Sequence, residues 1–363
     1  MNILIIGAGF AGSTAARLFA EQGHSVLVLE KRPHIGGNAF DEHDEFGVLV
    51  HRYGPHIFHT NSQVVFEFLS RFTKWRHYEH RVLASVEGNL YPFPINRITI
   101  NRLYGLDLDE LGVLEFLEKN KISREVKSSE DLVLSSVGPD LCEKFFRGYT
   151  KKQWGLDLKD LSAGVAARIP VRNNNDDRYF TDKFQAIPDQ GYSKMFKNML
   201  DHPNIGIKLG VDFFDTKNRY SFDYKIYTGP LDEYFGYKYG KLPYRSLNFE
   251  YKHMPGLDSF QEAAQINFPD SYEYTRITEF KKITGQIHSG TTIAYEFPVA
   301  TGDPYYPIPR HQTEALARRY KDLAENVPDT TFVGRLAEYR YYNMDQVVGS
   351  VMKKVGSLFS IFD

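Results

Sequence analysis

Cysteine is almost absent from this sequence of 363 residues, since Cys142 is the only one. A single cysteine excludes a disulfide framework and a zinc site built on thiolates, and it fits a reducing compartment. An excess of charge of one sign is also missing, because 44 Lys and Arg residues oppose 46 Asp and Glu residues and leave a net charge of -2. This balance argues against a surface that binds nucleic acid or is attracted to a membrane.

Long apolar runs are missing as well. The opening stretch NILIIGAGFAG is broken by glycine too early to span a membrane, and no basic segment precedes it as in a secretion signal. We therefore expect a soluble, cytoplasmic protein. The chain is longer than most single domains, so we expect two or three domains that enclose a cleft.

Aromatic residues, in contrast, are abundant. The chain has 27 Phe, 24 Tyr and 2 Trp, which make 15% of its residues. Tyrosines gather among polar neighbours in GYTKKQW, DPYYPIP and AEYRYYNM. Because tyrosine offers both a flat ring and a hydroxyl, these stretches are candidate site segments, with core packing as the alternative.

The first thirty residues have the pattern of a strand, a glycine-rich turn, a helix and a second strand. We predict the strands at 2–6 and 25–30 and the helix at 13–22. Gly7, Gly9 and Gly12 follow the spacing G-x-G-x-x-G, which permits a tight turn, close approach of the backbone to a pyrophosphate, and packing of the helix on the strand. Glu30 ends the second strand, where an acid binds ribose hydroxyls. The pattern predicts a dinucleotide-binding unit; the alternative is an α/β unit with a glycine-rich turn.

Patterns further along the chain indicate how it is organised. We predict strands within 205–229, a β-rich antiparallel region over 241–300, a helix at 311–325, a strand at TFVG and a final helix. Segment 97–155 is mostly helical in pattern, with Ser128 as an N-cap, and 159–178 has the composition of a mobile loop. The chain leaves the nucleotide-binding domain and returns to it, so that domain is expected to be discontinuous.

Three histidines, His51, His56 and His59, raise the question of a metal site. We expect none, because no carboxylate partner lies nearby in the sequence and thiolates are absent. A helix should follow, with Thr60 or Asn61 as its N-cap. Its apolar face is predicted to carry Val64, Val65, Phe68, Leu69 and Phe72.

Eight blocks spread along the chain resemble the bacterial type of UDP-galactopyranose mutase. They are EKRPHIGGNAF, YGPHIFHT, YPFPIN, GYTKKQWG, RIPVR, YTRITEF, DPYYPI and GRLAEYRYYNMDQV. The resemblance implies an α/β fold with an FAD-binding Rossmann-like domain, a helical-bundle domain and an antiparallel β-sheet domain, a homodimer, and no nucleic-acid or membrane partner. The expected ranges are 1–80, 190–240 and 315–363 for the FAD domain, 97–160 for the helical domain, and 81–96, 161–189 and 241–314 for the sheet domain, with the mobile loop at 159–178.

The resemblance and the glycine motif together predict the residues that bind FAD. They are Gly7, Gly9, Phe10, Gly12, Glu30, Lys31, Arg32, Gly37, Asn38, His56, Arg335, Tyr342, Met344 and Asp345. His56 is expected beside the isoalloxazine ring, the alternative being a loop histidine satisfied by the backbone. Gly334 and Arg335 are expected at a helix N-terminus, where a guanidinium could hold the pyrophosphate.

The resemblance also predicts the residues that bind a UDP-sugar. Phe145, Tyr149 and Trp154 match the uridine site, with core packing as the alternative. Arg168 and Arg276 match the arginines that neutralise the diphosphate, and with His56 they are the expected catalytic residues; exposed salt bridges are the alternative for both arginines. The remaining expected contacts are Tyr179, Asn267, Glu296, Tyr306, Tyr341 and Asn343, the last of which stands where many relatives have Asp.

The implied activity is the interconversion of UDP-galactopyranose and UDP-galactofuranose, for cell-surface polysaccharide biosynthesis. It is expected to run through a covalent adduct of reduced FAD N5 with the anomeric carbon, with NAD(P)H as a possible reductant. One alternative is a mutase of a related nucleotide sugar, UDP-N-acetylgalactose or a dTDP-deoxyhexose. Two others are a flavin oxidoreductase of the amine-oxidase type and an inactive nucleotide-sugar sensor.

Overall fold

A computed structural model describes residues 1–216, 219–270, 272–308 and 310–362. Its strands are β1 (Asn2–Ile6), β2 (Ser25–Glu30), β3 (Asp41–His43), β4 (Leu49–His51), β5 (Phe58–Thr60), β6 (Trp75–His77), β7 (Val82–Val86), β8 (Asn89–Phe93), β9 (Phe184–Pro188), β10 (Ile205–Leu209), β11 (Tyr224–Tyr227), β12 (Tyr244–Met254), β13 (Gln265–Asn267), β14 (Arg276–Glu279), β15 (Thr291–Val299), β16 (Tyr306–Pro307) and β17 (Thr330–Phe332). Its α-helices are α1 (Phe10–Glu21), α2 (Gln63–Ser70), α3 (Arg97–Tyr104), α4 (Glu110–Asn120), α5 (Ser129–Leu141), α6 (Gly148–Trp154), α7 (Ala163–Ala166), α8 (Tyr192–Leu200), α9 (Phe213–Thr216), α10 (Leu231–Tyr234), α11 (Phe280–Thr284), α12 (His311–Glu325) and α13 (Met344–Phe362).

A parallel sheet of five strands forms the nucleotide-binding layer. Its strand order is β10-β2-β1-β11-β17, and every adjacent pair is parallel. Helices α8 and α13 pack against α1 over the apolar centre of this sheet. The predicted strand, helix and strand at the start of the chain are confirmed.

Helix α1 begins three residues earlier than predicted. Gly9 is its N-cap, so Gly12 lies inside the helix rather than in the turn before it. A Cβ on Gly12 would lie 1.8 Å from the carbonyl oxygen of Gly7. Gly12 therefore permits close packing of the helix on the turn, and this packing, not an approach to pyrophosphate, explains why the position needs glycine.

A second sheet has seven strands in the order β16-β12-β15-β14-β13-β7-β8. The predicted β-rich region supplies β12 to β15, and the pairs β12–β15, β15–β14 and β14–β13 are antiparallel. The hairpin β7–β8 comes from much earlier in the chain and joins through a parallel pairing with β13. A third sheet, β5-β9-β6, links residues 58–77 to residues 184–188.

Helices α3 to α6 confirm the mostly helical pattern of segment 97–155. Ser128 caps α5 as predicted, through a capping box with Asp131. Residues Cys142–Arg147 are π-helical and run directly into α6. The apolar faces of these helices pack on β7 and β8 in one buried cluster.

Helix α2 corrects two predictions. Its N-cap is Ser62, whose side chain accepts from the Val65 N–H; Thr60 instead belongs to β5 and the Asn61 side chain binds Asp182. Val64 is 62% exposed. The other four predicted apolar residues, Val65, Phe68, Leu69 and Phe72, are buried.

Segment 159–178 contains little regular structure, α7 being its one α-helix in the described chain. Arg168 is exposed on this segment. The mobility of the segment and the boundaries of the three domains stay predictions. No helix among the described residues is both long and apolar enough to cross a membrane.

Candidate cofactor and substrate sites

A cavity of about 230 Å³ lies at the carboxyl ends of β1, β2 and β11. Ligands of parallel α/β sheets bind at this edge. Eleven of the fourteen residues predicted to bind FAD line the cavity: Gly7, Gly9, Phe10, Glu30, Lys31, Arg32, Gly37, Asn38, His56, Arg335 and Met344. The structure thus brings most of the predicted cofactor residues together around one space.

Two glycine segments form one wall of the cavity. Gly7 has φ of 101°, and a Cβ there would lie 2.2 Å from Thr228 Oγ1. Gly37 has φ of 56°, and a Cβ there would lie 3.0 Å from the Gly9 Cα. The turn after β1 and the segment after β2 therefore meet backbone to backbone, which leaves the cavity side free of side chains for an elongated phosphate-containing ligand.

Glu30 is fixed at the rim of the cavity by two backbone donors. Its Oε2 accepts from the Ala8 N–H at 2.8 Å and its Oε1 from the Arg32 N–H at 2.9 Å. Each carboxylate oxygen keeps a further lone pair for a ribose hydroxyl. The buried acid, the glycine wall and the helix start of α1 together fit the dinucleotide part of FAD.

The Arg32 side chain already has protein partners. Its guanidinium donates to Asn38 Oδ1 and to Asp303 Oδ2, both at 2.9 Å, and lies over the ring of Tyr53. Asp303 lines the same cavity. Arg32 therefore ties the segment after β2 to the loop before β16.

His56 lies at the cavity with its Nδ1 hydrogen-bonded to the Gly54 carbonyl oxygen at 2.8 Å. Burial lowers its pKa to about 3, so the imidazole is neutral at physiological pH. Gly54 packs on the other side against Glu296, since a Cβ on Gly54 would lie 3.4 Å from Glu296 Oε2. The Gly54–His56 segment thus separates the cavity from the second sheet.

The other two histidines also have protein partners. His51 Nδ1 accepts from the His56 N–H at 3.0 Å, and His59 Nδ1 pairs with Asp182 Oδ2 at 2.9 Å. Within the residues that the structure describes, no group of three His, Cys, Asp or Glu side chains could hold a metal ion.

Three predicted cofactor residues lie outside the cavity lining. Gly12 lies in α1, Tyr342 is buried with its hydroxyl near Glu338, and Asp345 Oδ2 accepts from Thr60 Oγ1 at 2.9 Å. Gly334 does not begin a helix either, because α13 begins only at Met344. Arg335 instead donates from its guanidinium to the Tyr342 carbonyl oxygen at 2.7 Å, which closes the loop before α13.

Several lining residues were missed by the sequence analysis. They include Val211, Asp212, Phe213, Phe214, Thr228, Gly229, Pro230, Glu233, Asp303, Pro304, Tyr305, Leu336 and Val347. Thr228, Gly229 and Pro230 could have been found, because TGP follows directly after β11. The others come from loops that no local pattern connects to the glycine turn.

The second sheet holds a buried ion pair beside this cavity. Asn267, Arg276 and Glu296 are register partners on the adjacent strands β13, β14 and β15, so their side chains share one face. An Arg276 guanidinium nitrogen lies 2.6 Å from Glu296 Oε1. Burial alone would lower the pKa of Arg276, but the charge of Glu296 raises it well above its ordinary value. The Arg276 side chain is 18% exposed and that of Glu296 3%, so the alternative of an exposed salt bridge does not describe Arg276.

The ion pair leaves hydrogen-bonding capacity unused. Arg276 Nε and Glu296 Oε2 are buried and have no hydrogen-bond partner in the protein. A buried donor or acceptor without a partner costs about 1–3 kcal/mol. A polar ligand that bonded both atoms would remove that cost. Asn267 differs, since its Oδ1 accepts from Gln265 Nε2 at 2.9 Å.

Three aromatic residues from separate elements meet next to the pair. The rings of Trp154, Tyr306 and Tyr341 lie 5.4 to 6.1 Å apart, centroid to centroid. The Arg168 guanidinium lies 4.0 Å from the Tyr341 ring centroid and donates to Asn343 Oδ1. Arg168, on the segment 159–178, therefore contacts these aromatic residues, and its hydrogen-bond partner there is the Asn343 amide rather than a carboxylate.

Arg335 connects this aromatic group to the cofactor cavity. It lines the cavity, and its guanidinium lies 5.4 Å from the Tyr306 ring centroid and 5.9 Å from that of Tyr341. The cofactor cavity and the aromatic group are thus neighbours with a cation between them.

Three half-buried tyrosines lie within electrostatic reach of Arg276. Burial raises the pKa of Tyr149 and Tyr179 above the ordinary value. The positive charge of Arg276 lowers both pKa values, but by less than burial raises them. Burial and the charge of Glu296 raise the pKa of Tyr306 to about 12. All three hydroxyls therefore keep their protons at neutral pH and can donate hydrogen bonds.

Phe145 lies elsewhere. It is 3% exposed inside the helical cluster, and its ring stacks on that of Phe93 with centroids 6.2 Å apart. The core-packing alternative thus describes Phe145 in this structure, and its contact with uracil stays a prediction.

The chain resembles known proteins in both sequence and fold. A family model described as UDP-galactopyranose mutase matches residues 144–341, and one described as an NAD(P)-binding Rossmann-like domain matches residues 5–72. A probable UDP-galactopyranose mutase from Klebsiella pneumoniae is 40% identical over 99% of this chain and 95% of its own length. A dTDP-fucopyranose mutase from Escherichia coli is 39% identical over 95% of this chain and 94% of its own length.

The fold agrees with a solved structure of this kind. A crystal structure of reduced UDP-galactopyranose mutase matches with a TM-score of 0.80 and 17% sequence identity, and the match covers 99% of this chain and 96% of that one. At that identity the likeness shows the fold alone. The sequence relatives and the family model show more: the chain belongs to the UDP-galactopyranose mutase family, whose members are isomerases.

Proposed function

We propose that this protein binds FAD in the cavity beside β1 and interconverts UDP-galactopyranose and UDP-galactofuranose while the flavin is reduced. The observation that carries the proposal is the buried Arg276–Glu296 pair, whose free hydrogen-bonding atoms lie in a tyrosine-rich site next to that cavity. When bound, reduced FAD supplies a nucleophilic N5 that can attack the anomeric carbon and displace UDP.

The residues of this chain supply binding and orientation. Arg276 and Arg168 hold the diphosphate, and its negative charge favours guanidinium partners. Tyr149, Tyr179, Tyr306 and Tyr341 donate hydrogen bonds from hydroxyls or pack against the nucleotide. Because UDP must leave and return to the same sugar, the site has to hold UDP in place and keep water out between the two steps.

The two relatives named above carry the names of different nucleotide sugars and are almost equally similar to this chain. Asn343 keeps a hydrogen-bonding group but lacks the charge of the Asp expected at this position. We propose UDP-galactose as substrate and dTDP-fucose as the alternative to be tested beside it. A cytoplasmic homodimer, reduction by NAD(P)H and a role in cell-surface polysaccharide biosynthesis belong to the same proposal.

The redox state of the flavin tests the proposal, because ring contraction changes no oxidation state. Oxidised protein should give negligible product, and one stoichiometric reduction under anaerobic conditions should support many turnovers. Cyanoborohydride added during turnover should leave part of the released cofactor heavier by one hexose, as measured by mass spectrometry. Equal turnover by oxidised protein, or product formed one for one with reductant consumed, would favour the oxidoreductase alternative. A parallel assay with dTDP-fucose identifies the sugar.

A further inference from the structure

Lys152 lies on α6, yet its ammonium group is held by a different part of the chain. The Nζ atom lies 2.5 Å from the carbonyl oxygen of Phe268, 2.9 Å from that of Asp270, 2.8 Å from that of Tyr272 and 3.1 Å from that of Tyr274. An ammonium has three N–H donors, so four carbonyl oxygens share all of them. All four of these bonds go to backbone oxygens, and the contact therefore depends on the conformation of the loop backbone.

The carbonyl oxygens belong to the loop that joins β13 to β14. Asn267 ends β13 and Arg276 begins β14, so this loop connects two residues of the proposed substrate site. The conformation of this loop therefore determines where Arg276 lies relative to the other residues of the proposed site.

A second contact joins the same two parts of the chain. Gly148, the first residue of α6, approaches the loop so closely that a Cβ would lie 2.1 Å from the Pro269 carbonyl oxygen. The other end of α6 is held from β12, where Arg245 donates to the carbonyl oxygens of Lys152 and Gln153, both at 2.9 Å. Helix α6 is therefore fixed to the loop at both Gly148 and Lys152.

Helix α6 itself carries Tyr149 and Trp154. We infer that Lys152 is a positioning residue that sets Arg276, at the end of the loop, relative to Tyr149 and Trp154, so that one nucleotide diphosphate can contact both. This inference rests on the proposed function, because it assumes that the loop end and the helix bind the same ligand. Lys152 itself has no N–H left for that ligand.

The neighbouring lysine provides a matched control. Lys151 is on the same helix, but its side chain is 68% exposed and pairs with Asp157 at 3.2 Å. The substitutions Lys152→Met and Lys151→Met remove the same charge from the same helix. Only the first removes the contact with the loop.

The test uses the FAD-loaded protein and measures the dissociation constant for UDP by calorimetry, with KM and kcat for UDP-galactopyranose after reduction. Lys152→Met should raise both the dissociation constant and KM about tenfold or more while kcat changes less, because the variant weakens binding of the nucleotide rather than the chemistry. FAD content should stay at the wild-type level. Lys151→Met should match the wild type throughout.

Unchanged UDP binding in Lys152→Met, or equal weakening in Lys151→Met, would overturn the inference. If Lys152→Met loses FAD or fails to fold, Lys152→Arg replaces it, because a planar guanidinium keeps the charge but cannot direct its donors to four converging carbonyl oxygens. That variant should fold and still bind UDP more weakly; wild-type affinity would overturn the inference. UDP affinity is measured without turnover. If the wild-type protein had no mutase activity, the proposed function would be refuted, but UDP binding by the Lys152 and Lys151 variants would still test this inference.

Discussion

At the scale of single residues, the Arg276–Glu296 pair is costly for the stability of the protein without a ligand. Taking two charges out of water is costly, and a buried pair with free hydrogen-bonding atoms recovers only part of that cost. The arrangement becomes favourable when a ligand of opposite charge completes the coordination of the arginine. We therefore interpret the pair as part of a ligand-binding site rather than as a salt bridge that stabilises the fold.

Replacing Arg276 with alanine should reduce kcat/KM by an amount equivalent to about 2–5 kcal/mol of transition-state stabilisation, since phosphate charge would be left without a partner in a closed site. Arg276→Lys should restore this only in part, because an ammonium cannot form two parallel hydrogen bonds. The measurement is steady-state turnover of the reduced protein, with the exposed Arg102→Ala as control.

Loss of Arg276 also leaves Glu296 buried without its partner, and the double variant Arg276→Ala with Glu296→Gln separates the two effects. If activity stays low in the double variant, the arginine acts on the ligand. Full recovery of activity would instead mean that Arg276 serves only to neutralise Glu296.

At the scale of elements, the glycine turn and α1 act as one unit. Gly12→Val places a side chain where even a Cβ would lie 1.8 Å from the Gly7 carbonyl oxygen, so helix and turn must separate. We expect this variant to purify without the yellow colour of flavin, as measured by absorbance. Gly356→Ala is the control, because Gly356 lies on α13 with open space around it. Full flavin occupancy in Gly12→Val would contradict the cofactor site.

The segment 159–178 is the second element with a testable behaviour. Arg168 has an amide and an aromatic ring as partners, but no anion, among the residues described. A bound diphosphate would supply that anion, and the segment should then become ordered. Hydrogen exchange of the backbone amides should slow there when UDP is added. Equal exchange with and without UDP would show that the segment does not respond to the nucleotide.

Local patterns predicted much of the fold but little of how its parts meet. The strands β1 and β2 and the helices capped by Ser128 and within 311–325 could be predicted because each depends on neighbouring residues. The roles of two residues could not be predicted in this way. Asp303 reaches the cofactor cavity only through tertiary pairing with Arg32, and the role of Lys152 depends on carbonyl groups, which every residue carries and which leave no signature in sequence.

At the scale of the whole molecule, three histidines are neutral at physiological pH: His51 and His80 are buried, and His56 is half-buried at the cofactor cavity. Burial lowers the pKa of His51 to about 4 and that of His56 to about 3; burial and the charge of Arg276 lower that of His80 to about 3. The ordinary value in an unfolded chain is about 6.5. Between these values the unfolded state binds more protons, so stability rises with pH through this window and is lost as pH falls.

Each such histidine should contribute a slope of about 1.4 kcal/mol per pH unit to the free energy of unfolding between roughly pH 4 and 6. We therefore expect Tm to fall steeply below pH 6, and His80→Gln to reduce the fall because one titrating group is removed. Calorimetric scans from pH 5 to 7 provide the measurement, with the exposed His77→Gln as control. An unchanged pH dependence in His80→Gln would mean that His80 does not titrate on unfolding.

The strand order of the five-stranded sheet has a consequence for how the protein is made. β1 lies at its centre between β2 and β11, and β17 pairs beyond β11. A ribosome produces β1 and β2 first, then the strands of the other three sheets, and only afterwards β17, Arg335 and α13. Until then α1 lacks its packing against α13, and the cofactor cavity lacks the wall formed by Arg335, Leu336, Met344 and Val347. The proposed FAD should therefore be captured only late in translation or after release. Early capture of FAD by ribosome-bound chains that stop before β17 would disprove this order.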